Sequence, residues 1–172
     1  MAGFVENSFV FLTEQKADEL RNANAFPNDI VITHRGTLGQ VGLISENSRF
    51  PRYVVSQSQM LLSAARDLAT PRYLFEYLRS PGGQHALLAN TSQTGVPAIA
   101  RPTSSVRAIR LVVPGRELLR RFDELTNPIY ARIDSCVRES RTLIAFRNTL
   151  LPKLISGELR VDNARQFSTV AM

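Results

Sequence analysis

Residues 28–44 read Asn28-Asp-Ile-Val-Ile-Thr-His-Arg-Gly-Thr-Leu-Gly-Gln-Val-Gly-Leu-Ile44, and they contain two apolar runs that predict two β-strands. The runs cover 29–33 and 40–44, and a short polar segment with Gly36 and Gly39 joins them. Two such runs on either side of a glycine-bearing segment are typical of a β-hairpin with a longer loop. We therefore expect an antiparallel hairpin within a first part of the chain that mixes strands and helices.

The rest of residues 1–113 also alternates between helix and strand signals. Thr13 can cap a helix over 14–22 with an acidic first turn. Pro71 can open a helix that ends at Ser80-Pro-Gly-Gly83. The other predicted elements, in chain order, are strands over 53–56 and 59–62, a helix over 84–89, a polar loop over 91–105 and a last strand over 106–113 closed by Pro114. This order predicts an α+β fold.

Residues 116–157 form a second part, in which the only helix-breaking residues before Gly157 are Pro128 and Pro152. Apolar or small side chains recur there every three or four residues, which predicts a long helix with an apolar stripe. From 128 to 151 this helix would be about 36 Å long. Because Pro128 fits the first turn of a helix, we expect a break or kink between residues 126 and 128.

Such a stripe needs a partner helix from this chain, from another copy or from another protein. The predicted seam consists of Phe122, Ile129, Ile133, Cys136, Leu143, Leu150 and Leu154. Ser140 and Arg147 interrupt it, and polar residues in a seam can fix register and partner choice at a cost in stability. The alternative is that the helix simply packs on the first part of the chain.

The charge of the chain is unevenly distributed. The 172 residues include 21 basic and 15 acidic side chains, and Lys16 and Lys153 are the only lysines. Residues 30–112 hold nine arginines against three acids, a net charge of +6 for this segment. Arginine matches phosphates and guanine edges with paired donors, so the excess permits a nucleic-acid partner. Genome composition also produces an arginine bias, and that alternative stays open.

The composition excludes several classes of protein. Cys136 is the only cysteine, so no disulfide forms within the chain, and together with His34 and His85 it cannot supply a Cys/His zinc site. No apolar run reaches about 18 residues and no secretory signal is visible, so we expect a cytoplasmic location. There is no dinucleotide-binding glycine motif, no P-loop and no serine-nucleophile motif. We therefore expect neither an enzyme nor a cofactor site.

Three polar segments carry side chains suited to base edges and phosphates. The first holds His34, Arg35, Thr37 and Gln40 in the hairpin loop, the second holds Arg52, Gln57 and Gln59, and the third holds Gln93 and Arg101. Because alternate residues of a strand share a face, Gln57 and Gln59 are expected on one surface. The alternative for the hairpin loop is an ordinary turn without a binding role.

Four stretches follow one another along the chain in a recognisable order. They are residues 28–44, Tyr73-Leu-Phe-Glu-Tyr-Leu-Arg-Ser80, Gln93-Thr-Gly-Val-Pro97 and Leu143-Ile-Ala-Phe-Arg-Asn-Thr-Leu-Leu-Pro-Lys-Leu-Ile-Ser-Gly-Glu-Leu-Arg-Val161. Over about residues 9–161 they resemble the recognition hairpin, a helix, the polar loop and the end of the spacer helix of one family. That family is the specificity subunits of type I restriction-modification systems.

The resemblance implies a non-catalytic DNA-reading subunit without a cofactor of its own. Its segments would be a mixed α/β DNA target recognition domain at 1–114, a conserved-spacer helix at 115–160 that pairs as in a coiled coil, and a tail at 161–172. In the family, the recognition domain enters the major groove of double-stranded DNA and reads one half of a bipartite site. The spacer helix pairs with its counterpart and docks the methyltransferase (modification) subunits, and the assembly recruits the restriction subunit. The nine polar residues named above are then the expected DNA contacts.

The chain departs from the family pattern in two ways. A full specificity subunit has two recognition domains and two spacers, whereas this chain has one of each, and its recognition domain looks truncated at the N-terminus. Asn28 stands where the family has glycine. We therefore expect a half-subunit, a truncated product or a fragment, and a homodimer through the long helix would read a palindromic bipartite site. A helical interaction adaptor without sequence-specific DNA binding, or an enzyme of unrecognised type, are the alternatives.

Overall fold

The structure is a computed structural model that describes residues 4, 6, 9–92 and 95–160. The predicted tail at 161–172 and the predicted DNA contact Gln93 lie outside the described residues. The chain divides into two compact units, Met1–Asn127 and Pro128–Met172. All strands of the described residues belong to the first unit.

Seven short strands and five α-helices make up the described part of the chain. In chain order they are α1 (Glu14–Glu19), β1 (Asn24–Ala25), β2 (Ile30–Thr33), β3 (Val41–Leu43), β4 (Tyr53–Val54), β5 (Gln59–Leu62), α2 (Pro71–Arg79), α3 (Pro81–Leu88), β6 (Thr91–Ser92), β7 (Ala98–Ile99), α4 (Pro102–Ala108) and α5 (Arg116–Ile155), with a 3-10 turn at Arg21–Ala23. Helices combined with small antiparallel sheets confirm the predicted α+β class.

β2 is the central strand of a three-stranded antiparallel sheet in the order β3-β2-β5. Ile30 pairs with Leu43 on one side and with Leu62 on the other, and Thr33 pairs with Gln59. The pairing of β2 with β3 confirms the predicted hairpin. Two further pairs, β1 with β4 and β6 with β7, are also antiparallel.

Both faces of β2 are buried. Val31 packs with Ile44 and Tyr53 on one face. Successive side chains of a strand alternate between faces, so Ile30 and Ile32 lie on the other face, and both are fully buried. Helix α2 packs against the neighbouring strand β3. The continuous apolar run of β2 in the sequence therefore reflects a strand that is covered from two sides.

Tyr53 lies in a cluster of aromatic rings. The ring centroids of Phe4, Phe9 and Phe50 are 5.1, 5.7 and 5.9 Å from that of Tyr53. The Tyr53 hydroxyl donates to Glu6 and accepts a hydrogen bond from Phe50 N at 3.0 Å. Burial raises the pKa of Tyr53 above its ordinary value, and the hydrogen bond to Glu6 raises it further.

Side-chain caps begin two helices where the sequence predicts them. Thr13 Oγ1 accepts a hydrogen bond from Lys16 N at 3.2 Å, which confirms the predicted cap of α1. Thr70 Oγ1 accepts from Tyr73 N at 3.3 Å, and Pro71 occupies the first turn of α2. Both caps satisfy backbone N–H groups that have no partner within the helix.

The ends of the first two helices are set by side chains as well. α1 ends at Glu19 and not at residue 22, because Asn24 donates from its side-chain nitrogen to the carbonyl oxygen of Ala17 at 2.8 Å. Ser80 ends α2, as predicted, and its Oγ accepts from Gly83 N at 3.1 Å. One serine therefore ends α2 and caps α3, so that α3 starts before the predicted residue 84.

Residues 91–113 differ most from the prediction. The expected polar loop at 91–105 contains β6, β7 and the first turn of α4, and the expected strand at 106–113 is wrong. Residues 106–108 form the end of α4. Residues 109–113 pair with no strand in the part of the chain that the structure describes. The hydroxyl groups of Tyr73 and Tyr77 donate to the carbonyl oxygens of Val112 at 2.6 Å and Arg110 at 3.2 Å. Side chains thus bind carbonyl groups that strand pairing would otherwise use.

Helix α5 runs without interruption from Arg116 to Ile155, so a break between residues 126 and 128 is wrong as a prediction, while the kink expected there as its alternative stays a prediction. A proline inside a helix removes one backbone hydrogen bond. Helix formation is cooperative, and the bonded turns on both sides keep the helix continuous. Its first turns, up to Asn127, belong to the first unit.

The first turns of α5 pack on α2 within the first unit. Leu119 is buried, and the Phe122 ring meets the Tyr73 ring edge to face with centroids 5.8 Å apart. Thr70 Oγ1 donates to Asp123 Oδ1 at 3.1 Å. For these turns, the alternative that the long helix packs on the first part of the chain is correct.

Two kinds of feature are absent from the part of the chain that the structure describes. No helix there is long and apolar enough to cross a bilayer. No three side chains of His, Cys, Asp or Glu lie close enough together there to hold a metal ion.

Candidate nucleic-acid interface

The loop between β2 and β3 is closed at its base and turns at two glycines. Thr33 N donates to Gln40 O at 2.9 Å, so residues 34–39 form the loop. Gly36 and Gly39 have φ angles of 87° and 78°, a left-handed conformation that residues with a side chain disfavour. The sequence therefore places glycine at the positions where the loop changes direction.

Backbone hydrogen bonds join this loop to two others. His34 N donates to Ser58 O at 2.9 Å, in the turn before β5. His34 O accepts from Ile99 N at 2.9 Å, and Gly36 N donates to Pro97 O at 2.8 Å, next to β7. Parts of all three predicted polar segments therefore meet at one end of the β3-β2-β5 sheet.

We call residues 34–40, 56–59 and 95–101 the three-loop surface. Its only charged side chains are Arg35 and Arg101, and it contains no acid. Its exposed predicted contacts are Arg35, Thr37, Gln40, Gln57 and Arg101, and its half-buried ones are His34 and Gln59. The surface presents positive charge together with hydroxyl and amide groups, which are the groups that proteins use for phosphates and base edges.

Arg101 holds a strained backbone conformation at the edge of this surface. Its φ and ψ angles are 46° and 62°, although a residue before proline is ordinarily extended. A left-handed conformation costs a residue with a side chain about 1–2 kcal/mol. Two hydrogen bonds at the preceding residue hold the segment: Ala100 N donates to Asn90 O at 2.7 Å, and Ser105 Oγ donates to Ala100 O at 2.7 Å.

Two predicted DNA contacts are engaged in other interactions. Arg52 donates from Nη1 to Asp18 Oδ1 of α1 at 2.5 Å. Gln59 Oε1 accepts from Ser56 N at 3.2 Å, so this side chain folds back on its own turn. Gln57 lies in the turn before β5 and not on a strand. The strand alternation expected to give Gln57 and Gln59 a common face therefore does not apply.

Sequence reasoning missed Gln84. This half-buried residue of α3 donates from Nε2 to Gly39 O of the hairpin loop at 3.0 Å. The available signal was its spacing. Gln84 stands three and four residues before Leu87 and Leu88, which places a polar side chain on the apolar face of the helix.

The predicted seam of the long helix falls into two groups. Phe122 is half-buried and packs on Tyr73 in the first unit. The other six residues lie beyond Pro128 and are exposed: Ile129, Ile133, Cys136, Leu143, Leu150 and Leu154. We call these six the apolar row. Leu125, which belongs to the predicted apolar stripe but not to the predicted seam, is 74% exposed, and Leu118, which sequence reasoning missed, is 60% exposed.

Comparison with known proteins finds a partial similarity and no matching family model. A stretch of 52 residues, 30% of the chain, is 35% identical to the type I restriction enzyme MjaIX specificity subunit of Methanocaldococcus jannaschii. Part of this chain is similar to a restriction-enzyme specificity subunit. The similar stretch spans only 12% of the length of that subunit.

The protein that this stretch is similar to is a specificity subunit, the kind of protein that the sequence motifs resemble.

Proposed function

We propose that this chain is the sequence-specific DNA-binding specificity subunit, or a half-subunit, of a type I restriction-modification system. It reads one half of a bipartite site and positions the methyltransferase and restriction subunits. The observation that carries the proposal is the three-loop surface, where five predicted contacts are exposed and no acid is present in the loops. The partial similarity to a specificity subunit supports the same function.

Base reading is assigned to the side chains with paired hydrogen-bonding groups. Arginine binds O6 and N7 of guanine with two donors, and glutamine binds N6 and N7 of adenine. We therefore assign base contacts to Arg35, Gln40 and Gln57, and further contacts to Thr37 and Arg101. The remaining predicted contacts, His34, Arg52, Gln59 and Gln93, stay predictions.

Assembly is assigned to the long helix. An exposed apolar row on a helix is buried most simply against another helix. We propose that residues 115–160 act as the spacer, pair with the same helix of a second copy and dock the methyltransferase subunits, while residues 1–114 form the recognition domain. A homodimer has two recognition domains related by a two-fold axis, so its DNA site is palindromic. Catalysis and binding of the methyl donor belong to the partner subunits.

Mapping of methylated bases tests this function in cells that express the chain with type I methyltransferase subunits. We expect one bipartite motif with a constant spacing between its halves, and a palindromic motif if the chain acts as a homodimer. Methylation at no common motif, with the chain present in the purified complex, would overturn the proposal.

Substitutions test the assigned surface. Arg35→Ala or Gln57→Ala should lower affinity for the mapped site about tenfold, because a paired contact to a base contributes about 1–3 kcal/mol. Arg66→Ala is the matched control for Arg35→Ala, since Arg66 is exposed in the turn after β5 and lies outside the three-loop surface. It removes the same charge and should weaken binding by no more than about threefold through general electrostatics. Equal losses for Arg35→Ala and Arg66→Ala would show that the surface is misassigned.

A second candidate function is a helical interaction adaptor without sequence-specific DNA binding. The exposed apolar row favours it, because that row is open to a partner whatever the first unit does. This candidate predicts stable dimers or partner complexes together with equal binding to all duplexes of a random-sequence pool. Enrichment of one sequence from the pool would exclude it.

A further inference from the structure

Gln84 links the hairpin loop to helix α2 through one side-chain nitrogen. Its Nε2 donates to Gly39 O at 3.0 Å and to Leu78 O at 2.7 Å. The amide group has two hydrogens, so each carbonyl oxygen can receive one. Leu78 lies in the last turn of α2, where backbone carbonyl groups lack partners within the helix. The same side chain therefore completes the end of α2 and holds the loop.

The loop lies close to α3 at Gly39. A Cβ atom at this position would lie 2.6 Å from Gln84 Oε1 and 3.5 Å from Leu88 Cδ1. At Gly36, on the other side of the loop, the backbone nitrogen is bound to Pro97 O at 2.8 Å. The loop is thus anchored on both sides of Thr37, by the segment before β7 and by Gln84.

We propose that Gln84 is a positioning residue for DNA recognition. It holds the hairpin loop in the conformation in which Arg35, Thr37 and Gln40 meet DNA, and it acts through the loop without a DNA contact of its own. This inference rests on the proposed function, because it assigns a role to the same surface.

The role requires a neutral side chain with two donors. Glutamate in its ionised form has no hydrogen to donate, and it would face the two carbonyl oxygens of Gly39 and Leu78 with a negative charge. Methionine has a similar length and no N–H donor. Either residue at position 84 would leave the two carbonyl oxygens without their donor, at the cost of an unmade hydrogen bond.

The test uses the full chain with Gln84→Met or Gln84→Glu. Gln15→Met and Gln15→Glu are the matched controls, since Gln15 is exposed on α1. Enrichment from a pool of random DNA duplexes measures sequence preference, and amide hydrogen exchange measures the order of residues 36–40. For both Gln84 variants we expect about a tenfold loss of preference for the wild-type motif and about tenfold faster exchange in the loop, with β2 unchanged.

A pH series separates hydrogen bonding from packing. Glutamic acid in its neutral form can donate one hydrogen bond. The preference of Gln84→Glu for the motif should therefore recover in part as the pH falls toward the pKa of the introduced glutamate, relative to wild type at the same pH. This comparison also serves if Gln84→Met does not fold. Absence of any recovery would contradict the hydrogen-bonding role.

The outcomes separate a failure of this inference from a failure of the proposed function. Gln84 variants that keep the wild-type motif, with or without faster loop exchange, overturn the inference and leave the proposed function intact. A wild-type chain that enriches no sequence overturns both.

Discussion

Tyr73 donates its hydroxyl hydrogen to the carbonyl oxygen of Val112 at 2.6 Å. The same ring packs edge to face on Phe122 of α5. One side chain of α2 therefore binds the segment that leads into α5 and the first turns of α5 itself. Val112 consequently has a side-chain partner in place of the strand partner that the sequence predicts.

Tyr73→Phe should lower the free energy of unfolding by about 1 kcal/mol, the net contribution of a typical hydrogen bond. The ring and its contact with Phe122 are retained, so the loss reports the hydroxyl group alone. Urea denaturation measures it. Tyr77→Phe is the companion variant and should cost less, because its hydroxyl is 3.2 Å from Arg110 O. An unchanged midpoint for Tyr73→Phe would contradict the assigned role.

Gly39→Ala should destabilise the first unit more than Gly36→Ala. Both residues have positive φ, so each substitution carries a backbone cost of about 1–2 kcal/mol. A Cβ at residue 36 would meet no atom within 4 Å, whereas one at residue 39 would displace Gln84 and break its hydrogen bond to the loop. We expect an additional loss of about 1 kcal/mol for Gly39→Ala in urea denaturation. Equal losses would show that the contact with Gln84 does not contribute to stability.

Alkaline pH should destabilise the chain through Tyr53. Its pKa is raised in the folded state, chiefly by burial, so the folded state favours the neutral phenol. This stabilisation is fully present below the unfolded pKa of about 10 and is lost as the pH rises through the folded pKa. The free energy of unfolding should therefore fall more steeply above about pH 10 in wild type than in Tyr53→Phe. The two curves should run parallel near neutral pH, and parallel curves throughout would contradict the prediction.

Leu143→Glu should weaken the proposed homodimer at least about tenfold, because it introduces a charge into the apolar row that pairing would bury. Ala145→Glu introduces the same charge on the same helix, where the exposed Ala145 lies on the face opposite the row, and it should leave association nearly unchanged. Sedimentation equilibrium measures both. Equal dissociation constants for the two variants would show that the row is misassigned. A wild-type chain that stays monomeric would contradict the proposed homodimer.

Several elements of the fold could be predicted because their causes lie close together in the sequence. Thr13 and Thr70 each cap a helix whose first N–H groups are within three residues. Gly36 and Gly39 stand at the turns of a hairpin between two adjacent apolar runs. In each case the interacting groups belong to one short segment, so composition and spacing suffice.

The candidate site could be predicted only in part. The residue types of the three polar segments were visible, but their meeting depends on the bonds of His34 to Ser58 and Ile99, residues far apart along the chain. Nothing in the sequence around Arg52 indicates that its guanidinium group forms a salt bridge with Asp18. Gln84 escaped notice for the same reason, because its partner Gly39 belongs to another element.

The sequence alone therefore determines the hairpin, the helix caps, the uneven distribution of charge and the long helix with its apolar row. Tertiary contacts decide which polar side chains share one surface and which are engaged elsewhere. They also decide that tyrosine hydroxyl groups bind the segment before α5 and that the first turns of α5 pack on α2. The physical reason is that each buried donor or acceptor group needs a partner, and that partner often lies far away along the sequence. Only the folded chain brings the two groups within hydrogen-bonding distance.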